Sequence, residues 1–282
     1  MNIKQITQIL INGGIEINEA KIEAKMLAKS ILGLSDVDLL MKDNFEEFNL
    51  EQRLLDKLVE KAELRANTRM PIQHIIGKAY FMGEDFIVNK NVLIPRDETE
   101  ILVRKCIEII KEHGFKNVLD MGTGSGCIAC IIAKETTARV LGADISNEAL
   151  EIALDNSSML NLFNKAIFRK SDLFSNIRTD EKFDLIVSNP PYIPKEEDGH
   201  LQKEVEFDPK TALFASDKDG VEFYEKISRE APQYLNENGY LAFELGVKQS
   251  ELVEILMKAN GFKNIQIIKD LAGINRVILG NI

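Results

Sequence analysis

The sequence is poor in the residues that build disulfide frameworks and metal sites. It has three cysteines, Cys106, Cys127 and Cys130, and three scattered histidines. Three cysteines cannot all pair, and the C-x-x-C formed by Cys127 and Cys130 lacks the second pair of ligands that a zinc site needs. We therefore predict that this pair packs on one apolar helix face, and we predict no metal site.

Long apolar runs are also missing. No stretch reaches the roughly 18 apolar residues that a membrane span requires. The first ten residues, MNIKQITQIL, interleave polar and apolar side chains and do not resemble a secretory signal. We therefore expect a cytoplasmic protein that does not contact a membrane.

Positive charge is in deficit as well. The formal net charge of the 282 residues is -10. Proteins that hold duplex nucleic acid through its phosphates usually present a basic face. The charge balance favours a protein or small-molecule substrate, so we expect no stable nucleic-acid partner, and a basic protein partner would suit this chain.

The first 76 residues have helical periodicity throughout and no catalytic signature. Ile3, Ile6 and Leu10 recur at helical spacing. Asn18 is predicted to cap the second helix and Gly33 to end it. Residues 1–76 are predicted to form a small helical domain, which is either a solubilising cap or a substrate-recognition module.

The pattern changes after this helical region. Residues 77–95 alternate aromatic and β-branched side chains around Gly83, which predicts a β-hairpin that links two domains. From residue 96 to 282, apolar strands alternate with helices of ten to fifteen residues, which predicts a parallel sheet with helices on both faces. The last two strands are close enough to form an antiparallel hairpin. An α/β fold with seven strands and a reversed last strand is similar to the Rossmann-like class I methyltransferases.

A glycine-rich turn follows the first predicted strand of this region. Asp120 and Met121 lead into the segment Gly122, Thr123, Gly124, Ser125 and Gly126. Glycines at the carboxyl edge of such a sheet let the backbone approach a ligand, and the next helix directs its amino end there. The turn alone fits a dinucleotide, a methyl-donor nucleoside or a tight turn.

Two carboxylates at the ends of the next strands support a nucleoside. Asp144 ends the second strand, where a carboxylate accepts hydrogen bonds from ribose hydroxyls; it could also merely cap the next helix. Asp172 follows the third strand, where class I methyltransferases commonly bind the adenine amino group. Leu173 beside it would add a backbone and apolar contact.

The fourth strand ends in the segment Asn189, Pro190, Pro191 and Tyr192. Two prolines make the segment stiff and remove backbone donors, so the Asn189 side-chain oxygen and the Pro190 carbonyl form a rigid pair of acceptors. Such a pair fits a planar NH2 group. Because an amide nitrogen is a poor nucleophile, two accepted hydrogen bonds would raise its electron density and position it without a strong base. The Tyr192 ring could cover the flat group.

Motifs along nearly the whole chain, including the helical region, resemble the release-factor glutamine methyltransferases. The matching segments are RMPIQHIIG at 69–77, FIVNKNVLIPR at 86–96 followed by Thr99 and Glu100, LDMGTGSGCIA at 119–129, DLIVSNPPYIP at 184–194, DPKTAL at 208–213, FELG at 243–246 and DLAGINRV at 270–277.

This resemblance implies an enzyme that uses S-adenosylmethionine to methylate the glutamine amide in the Gly-Gly-Gln loop of bacterial peptide chain release factors, with S-adenosylhomocysteine as the other product. It implies that the helical domain contacts the release factor. Asn189, Pro190 and Tyr192 would hold the amide with Pro191. Arg96 and Glu100 would lie beside the substrate, in a stretch next to the active site that also contains Thr99. The glycine turn with Asp144, Asp172, Leu173 and Asn189 would hold the cofactor.

Two positions depart from the family pattern. Asp97 stands where the family usually has proline. This chain also reads Phe-Asp-Pro, with Asp208 before the proline, where the family often has a Glu-Pro pair. Both departures concern the positioning of the substrate and leave the methyl-transfer groups intact.

Three other functions remain as alternatives. An adenine-N6 methyltransferase would use the same acceptor pair but would want a basic target-recognition domain and a base-flipping pocket. A non-catalytic S-adenosylmethionine-binding scaffold would not need the paired acceptors. A nicotinamide dehydrogenase would have no use for the Asn-Pro-Pro-Tyr segment.

Overall fold

The computed structural model describes residues 1–41, 44–48 and 50–282, which divide into two compact units. The first unit is Met1–Lys78 with Gln202–Phe207, and the second is Ala79–Leu201 with Asp208–Ile282. The predicted hairpin therefore belongs to the second unit. The short segment Gln202–Phe207 joins the helical unit although it lies far along the chain, which the sequence did not indicate.

The helical unit is built from amphipathic helices around one apolar core. Its helices are α1 (Ile3–Asn12), α2 (Ile17–Leu32), α3 (Asp36–Met41), α4 (Gln52–Thr68) and α5 (Ile72–Ile76). Gly33 caps the end of helix α2, as predicted, and its φ of 70° is the left-handed conformation that ends many helices. The prediction that Asn18 caps this helix is wrong: the Glu16 carboxylate accepts from the amides of Asn18 and Glu19, because a longer side chain can also reach back to the first turn.

A buried ion pair ties the segment Gln202–Phe207 to these helices. Arg65 is 1% exposed and donates to the Glu23 carboxylate from Nε at 2.9 Å and from Nη2 at 2.9 Å. Its Nη1 donates to Glu204 at 2.9 Å. Burial raises the pKa of Glu23 in spite of the guanidinium beside it. Such a pair fixes geometry more than it adds stability, but breaking it leaves a charge buried alone.

The second unit begins with the predicted hairpin. Strands β1 (Lys78–Phe81) and β2 (Glu84–Ile87) form a two-stranded sheet. The turn lies at Met82 and Gly83, whose φ angles of 48° and 91° are typical of a tight hairpin turn. The hairpin was predicted to turn around Gly83, Glu84 and Asp85, but Glu84 and Asp85 already belong to β2, so the turn lies earlier than predicted.

The remaining elements of this unit follow in the predicted alternation. The strands are β3 (Asn117–Met121), β4 (Arg139–Asp144), β5 (Ala166–Lys170), β6 (Phe183–Ser188), β7 (Ile193–Pro194), β8 (Phe214–Ala215), β9 (Leu235–Glu244), β10 (Lys263–Lys269) and β11 (Asn275–Asn281). The helices are α6 (Asp97–His113), α7 (Cys127–Glu135), α8 (Asn147–Met159), α9 (Lys210–Leu213), α10 (Glu222–Glu230) and α11 (Ser250–Ala259).

Seven of these strands form one sheet in the order β10-β11-β9-β6-β3-β4-β5. Strands β9, β6, β3, β4 and β5 pair in parallel, whereas β11 pairs antiparallel with both β9 and β10. The predictions of a reversed last strand and of a closing antiparallel hairpin are confirmed. Strands β7 and β8 form a separate parallel pair.

Both faces of the sheet are buried, as a parallel sheet requires. Along β6, Leu185 and Val187 join one apolar core while Ile186 joins the other. The first core also takes the inner faces of α6 and α7, and the second those of α10 and α11. Cys127 and Cys130 are buried in the first core, which agrees with the predicted packing role.

No helix in the described ranges combines the length and the apolar composition needed to cross a lipid bilayer.

Replacing Arg65 with alanine should lower the free energy of unfolding of the helical unit by about 3–5 kcal/mol, because Glu23 would stay buried without its partner. Urea denaturation followed by circular dichroism measures the change. Lys29→Ala is the control, since Lys29 and Asp36 form an exposed pair at 2.7 Å that contributes little. Equal shifts in the two variants would contradict this role for Arg65.

Candidate active site

Parallel pairing brings the predicted site residues to one edge of the sheet. Met121 at the end of β3 is in register with Ala143 of β4 and with Ser188 of β6. The residues that follow these strands therefore leave the sheet side by side at its carboxyl edge, where open α/β sheets bind ligands. Glu244, at the end of β9, leaves the same edge one strand further on.

A cavity of about 390 Å³ opens at this edge. Eight predicted site residues line it together: Gly122, Gly124, Asp144, Asp172, Leu173, Asn189, Pro190 and Pro191. Further lining comes from Asn91, Val92 and Leu93 after the hairpin and from Phe223, Lys226 and Ile227 of α10, to which the sequence-based prediction gave no role. One cavity thus holds the glycine turn, both predicted nucleoside carboxylates and the proposed acceptor pair.

The glycine turn is held in a shape that other residues would strain. Gly122 and Gly124 have φ angles of 73° and 53°, and open space surrounds the position that a Cβ atom would take at each. Glycine is required here by the backbone conformation and leaves the cavity wall bare. The amides of Gly122 and Thr123 both donate to the Ala143 carbonyl, at 2.8 Å and 3.0 Å, which ties the turn to β4.

The Thr123, Ser125 and Gly126 positions lie beneath the turn and do not line the cavity. The Thr123 hydroxyl donates to the buried Asp120 carboxylate at 2.6 Å, and the Ser125 carbonyl accepts from Asn156 at 2.9 Å. The Thr123 and Ser125 side chains are only 4% and 2% exposed, so they point into the protein. These residues shape the turn from below.

Asp144 faces the cavity with part of its hydrogen-bonding capacity used. Its Oδ2 accepts from the Gly124 amide at 2.8 Å and its Oδ1 from the Ser146 amide at 2.9 Å. An ionised carboxylate has about four acceptor sites, so capacity for ligand hydroxyls remains. Burial raises the pKa of Asp144, an effect that the two amide donors oppose.

Asp172 and Leu173 form the wall beyond the end of β5. The Asp172 side chain is exposed at the cavity rim, and Leu173 is partly buried. Leu173 has φ 46°, which is unusual for a bulky residue. The Ser171 hydroxyl donates to the Leu173 carbonyl at 2.5 Å and so holds this backbone turn in place.

Asn189 is connected to Thr99, which the family resemblance placed next to the active site, and through it to Glu244, to which the prediction gave no role. Its Nδ2 donates to the Thr99 hydroxyl oxygen at 3.3 Å, and that hydroxyl donates to Glu244 Oε2 at 2.6 Å. Thr99 and Glu244 are 3% and 2% exposed. Burial raises the pKa of Glu244 to about 7. Both residues lie in segments that carry the family resemblance, but nothing local in either segment predicts that they meet.

Tyr192 lies just outside the cavity lining and is partly buried. Its carbonyl accepts from Gln249 Nε2 at 2.9 Å, and the same nitrogen donates to the Asp219 carbonyl at 2.9 Å. Gly220, with φ 69°, passes so close that a Cβ atom there would lie 2.1 Å from the Tyr192 carbonyl oxygen. Burial raises the pKa of the Tyr192 phenol to about 12, so it stays neutral.

Arg96 and Glu100, predicted to lie beside the substrate, are not in the cavity lining. Arg96 Nη2 pairs with the buried Asp208 carboxylate at 2.7 Å, which anchors the chain just before Pro209 in the cavity wall. Burial raises the pKa of Asp208 to about 6. Glu100 accepts from the Met82 amide at 2.9 Å and therefore holds the hairpin, because one step along α6 turns a side chain by roughly 100° from Thr99.

Among the described residues there is no cluster of three or more histidine, cysteine, aspartate or glutamate side chains that could hold a metal ion. The polar side chains that line the cavity are two carboxylates, the amides of Asn91 and Asn189, several hydroxyls and Lys226. The Lys226 ammonium pairs with the Glu222 carboxylate at 2.5 Å. Carboxylates at a cavity wall favour ligands that carry hydroxyls, amines or positive charge over phosphates. This donor and acceptor set fits S-adenosylmethionine, a nucleoside with a sulfonium and an amino group.

This chain is similar to known methyltransferases in sequence and in fold. Residues 97–206 match the family model described as the methyltransferase small domain. A solved methyltransferase from Pyrococcus furiosus shares the fold, with a TM-score of 0.53 at 20% identity over 82% of this chain and 98% of that one. The fold is therefore that of a methyltransferase.

Two curated relatives identify the family of methyltransferases to which this chain belongs. The release factor glutamine methyltransferase of Geobacter sulfurreducens is 37% identical over 97% of this chain and 93% of its own length. That of Fusobacterium nucleatum is 42% identical over 79% of this chain, a match that spans 63% of that relative's length. The chain belongs to the release factor glutamine methyltransferase family.

Asp120 should make the second unit less stable as pH rises from about 4 to about 7. Burial raises the pKa of Asp120 to about 7, above the value near 4 of an unfolded chain, so the folded state binds more protons in this range. Glu244 contributes in the same direction. Denaturant unfolding across this range should give a shallower pH dependence for Asp120→Asn than for the wild type. An identical slope would contradict the burial of an acidic Asp120.

Proposed function

We propose that this chain is an S-adenosylmethionine-dependent protein-glutamine N-methyltransferase. Its substrate is the glutamine of the Gly-Gly-Gln loop in bacterial peptide chain release factors, and the methyl group goes to the side-chain amide nitrogen. Membership of the family, whose curated relatives are named release factor glutamine methyltransferases, supports the reaction and its substrate.

The observation that carries this proposal is that one cavity holds both halves of the site. The glycine turn and Asp144 line it on the side of β3 and β4, and Asn189 and Pro190 line it at the end of β6. A group transfer between two bound molecules needs both in one water-poor space at contact distance. A scaffold that only bound the nucleoside would not need the second set of acceptors.

The cofactor would be held by residues that already face the cavity. Asp144 would accept from the ribose hydroxyls, and the backbone of Gly122 and Gly124 would allow the methionine part to approach closely. Asp172 and Leu173 would hold the adenine ring. When bound there, S-adenosylmethionine supplies an electrophilic methyl group on a positively charged sulfur.

The acceptor amide would be held by Asn189 and Pro190. The Asn189 Oδ1 and the Pro190 carbonyl would each accept one N–H of the glutamine NH2 group, which fixes its plane and raises electron density on its nitrogen. Pro191 keeps this segment rigid. Tyr192, held through its carbonyl by Gln249, would pack against the amide plane as a neutral phenol.

The helical unit would recognise the release factor. It carries several exposed large apolar side chains on α2 and α3, among them Ile22, Val37, Leu40 and Met41. Exposed apolar side chains of this kind mark protein contacts more often than catalytic sites. The release factor would thus be bound at a surface separate from the cavity that receives its glutamine.

Methyl transfer from labelled S-adenosylmethionine to purified release factor tests the proposal. Label should enter the wild-type release factor and not its Gly-Gly-Ala loop variant, and none should enter DNA. Label on DNA alone would move the enzyme to the adenine class. Label on no substrate, with the cofactor still bound, would favour the scaffold alternative.

Asn189→Ala should reduce methyl transfer at least about a hundredfold, because the acceptor that positions the amide is lost. Cofactor affinity should stay nearly unchanged in calorimetry, since the lost group acts on the other substrate. A large loss of cofactor affinity with little loss of transfer would show that Asn189 has been assigned to the wrong ligand.

Asp144→Ala should weaken cofactor binding by about 1.5–3 kcal/mol, the range for hydrogen bonds to a charged group. Titration calorimetry with S-adenosylhomocysteine gives the dissociation constant directly. Asp155→Ala, at an exposed position on α8, is the matched control and should bind like the wild type. If both variants bind equally well, Asp144 does not hold the ribose.

A further inference from the structure

A short chain of hydrogen bonds runs from Asn189 into the protein through three elements. Asn189 follows β6, Thr99 lies in the first turn of α6 and Glu244 ends β9. The donor–acceptor distances are 3.3 Å from Asn189 Nδ2 to the Thr99 oxygen and 2.6 Å from that hydroxyl to Glu244 Oε2. Thr99 and Glu244 are almost completely buried.

The chain of bonds has a fixed direction. A threonine hydroxyl has one proton, and here that proton goes to the Glu244 carboxylate. An ionised carboxylate has no proton to donate and can only act as an acceptor. The Thr99 oxygen is left as an acceptor, so its other neighbour must be a donor. The Asn189 side chain meets this need only when its NH2 group faces Thr99 and its Oδ1 points the other way.

We propose that Thr99 and Glu244 are positioning residues that select the rotamer of the Asn189 amide, so that its oxygen rather than its nitrogen meets the NH2 group of the substrate. The inference rests on the proposed function, in which Asn189 accepts from the glutamine amide. Neither residue touches the substrate, and both act through Asn189.

This selection matters because the two orientations of an asparagine amide have nearly the same shape. Packing alone does not distinguish oxygen from nitrogen, so the hydrogen-bond partners decide. In the reversed orientation, Nδ2 would face the N–H groups of the substrate, and two donors would oppose each other. The reversed orientation would also leave Oδ1 beside an oxygen that has no proton to give.

The ionisation of Glu244 controls the direction. Charged and titratable groups face it from neighbouring elements: Glu98 of α6, Cys127 of α7, Tyr192 after β6, Tyr224 of α10 and Arg276 of β11. Burial has the largest effect and raises the pKa of Glu244 to about 7, although hydrogen bonds from the Thr99 hydroxyl and, more weakly, from the Asn189 side chain itself favour the ionised form. Below this pH the carboxyl gains a proton that it can donate to Thr99, which frees the threonine proton and permits the reversed amide.

Thr99→Val tests the role, because it removes the hydroxyl and keeps the shape. We expect kcat for release-factor methylation to fall on the order of a hundredfold, the loss typical of a misplaced reacting group. The dissociation constant of S-adenosylhomocysteine should stay unchanged, and Thr99→Ser should restore most of kcat. Thr136→Val is the matched control, because it removes another buried hydroxyl, one that donates to the Ile132 carbonyl at 2.7 Å. This variant should keep the wild-type kcat.

The pH profile separates positioning from a general structural effect. Wild-type kcat should decrease as pH falls through about 7, the pKa of Glu244, and Glu244→Gln should lack this decrease because it cannot change its charge. Circular dichroism confirms that each variant is folded before its activity is compared.

Failure of the inference differs from failure of the proposed function. If the wild type methylates the release factor and Thr99→Val does so at the same rate, the positioning role is refuted. If Thr99→Ser is as inactive as Thr99→Val, the hydroxyl is not what matters, which also overturns the inference. If the wild type itself transfers no label to the release factor, the proposed function fails first.

Discussion

The site depends on one constraint, the parallel pairing of β3 with β4 on one side and with β6 on the other. This pairing aligns Met121 with Ala143 and with Ser188, so three chain segments leave the sheet at the same edge and in the same direction. The glycine turn, Asp144 and Asn189 meet there without any contact that is local in sequence. Core packing on both faces makes this register rigid, because a slip by one residue would exchange the two buried faces of a strand.

Two acidic side chains near this edge of the sheet are buried, and burying a carboxyl group costs free energy. Asp120 and Glu244 are almost fully buried, and burial raises the pKa of each to about 7. Asp120 supports the glycine turn through Thr123, and Glu244 supports Asn189 through Thr99. The glycine turn and Asn189, on the two sides of the cavity, are thus each supported by a threonine hydroxyl that is hydrogen-bonded to a buried carboxyl group. Buried polar groups of this kind specify one arrangement at the expense of stability.

Much of the fold and part of the site followed from the sequence. Strand and helix alternation, the reversed last strand and the cavity positions of Asp144 and Asn189 were predicted, because each is marked by local periodicity or by a residue next to a strand end. The inward direction of Thr123 and Ser125 was not predicted, since it depends on how the turn folds back on β4. The pair formed by Thr99 and Glu244 joins positions 145 residues apart, and the Glu204 contact to Arg65 joins positions 139 apart. Such contacts leave no local signal in a single sequence.

The central claim is that Asn189 Oδ1 and the Pro190 carbonyl receive the NH2 group of a glutamine in the cavity that also holds the cofactor. A crystal structure of the enzyme with S-adenosylhomocysteine and a glutamine-containing release-factor peptide tests this directly. The account predicts that the glutamine nitrogen lies within hydrogen-bond distance of both oxygens, with the cofactor sulfur on the side of Gly122 and Asp144. A glutamine bound outside this cavity, or one whose carbonyl oxygen faces Asn189, would contradict it.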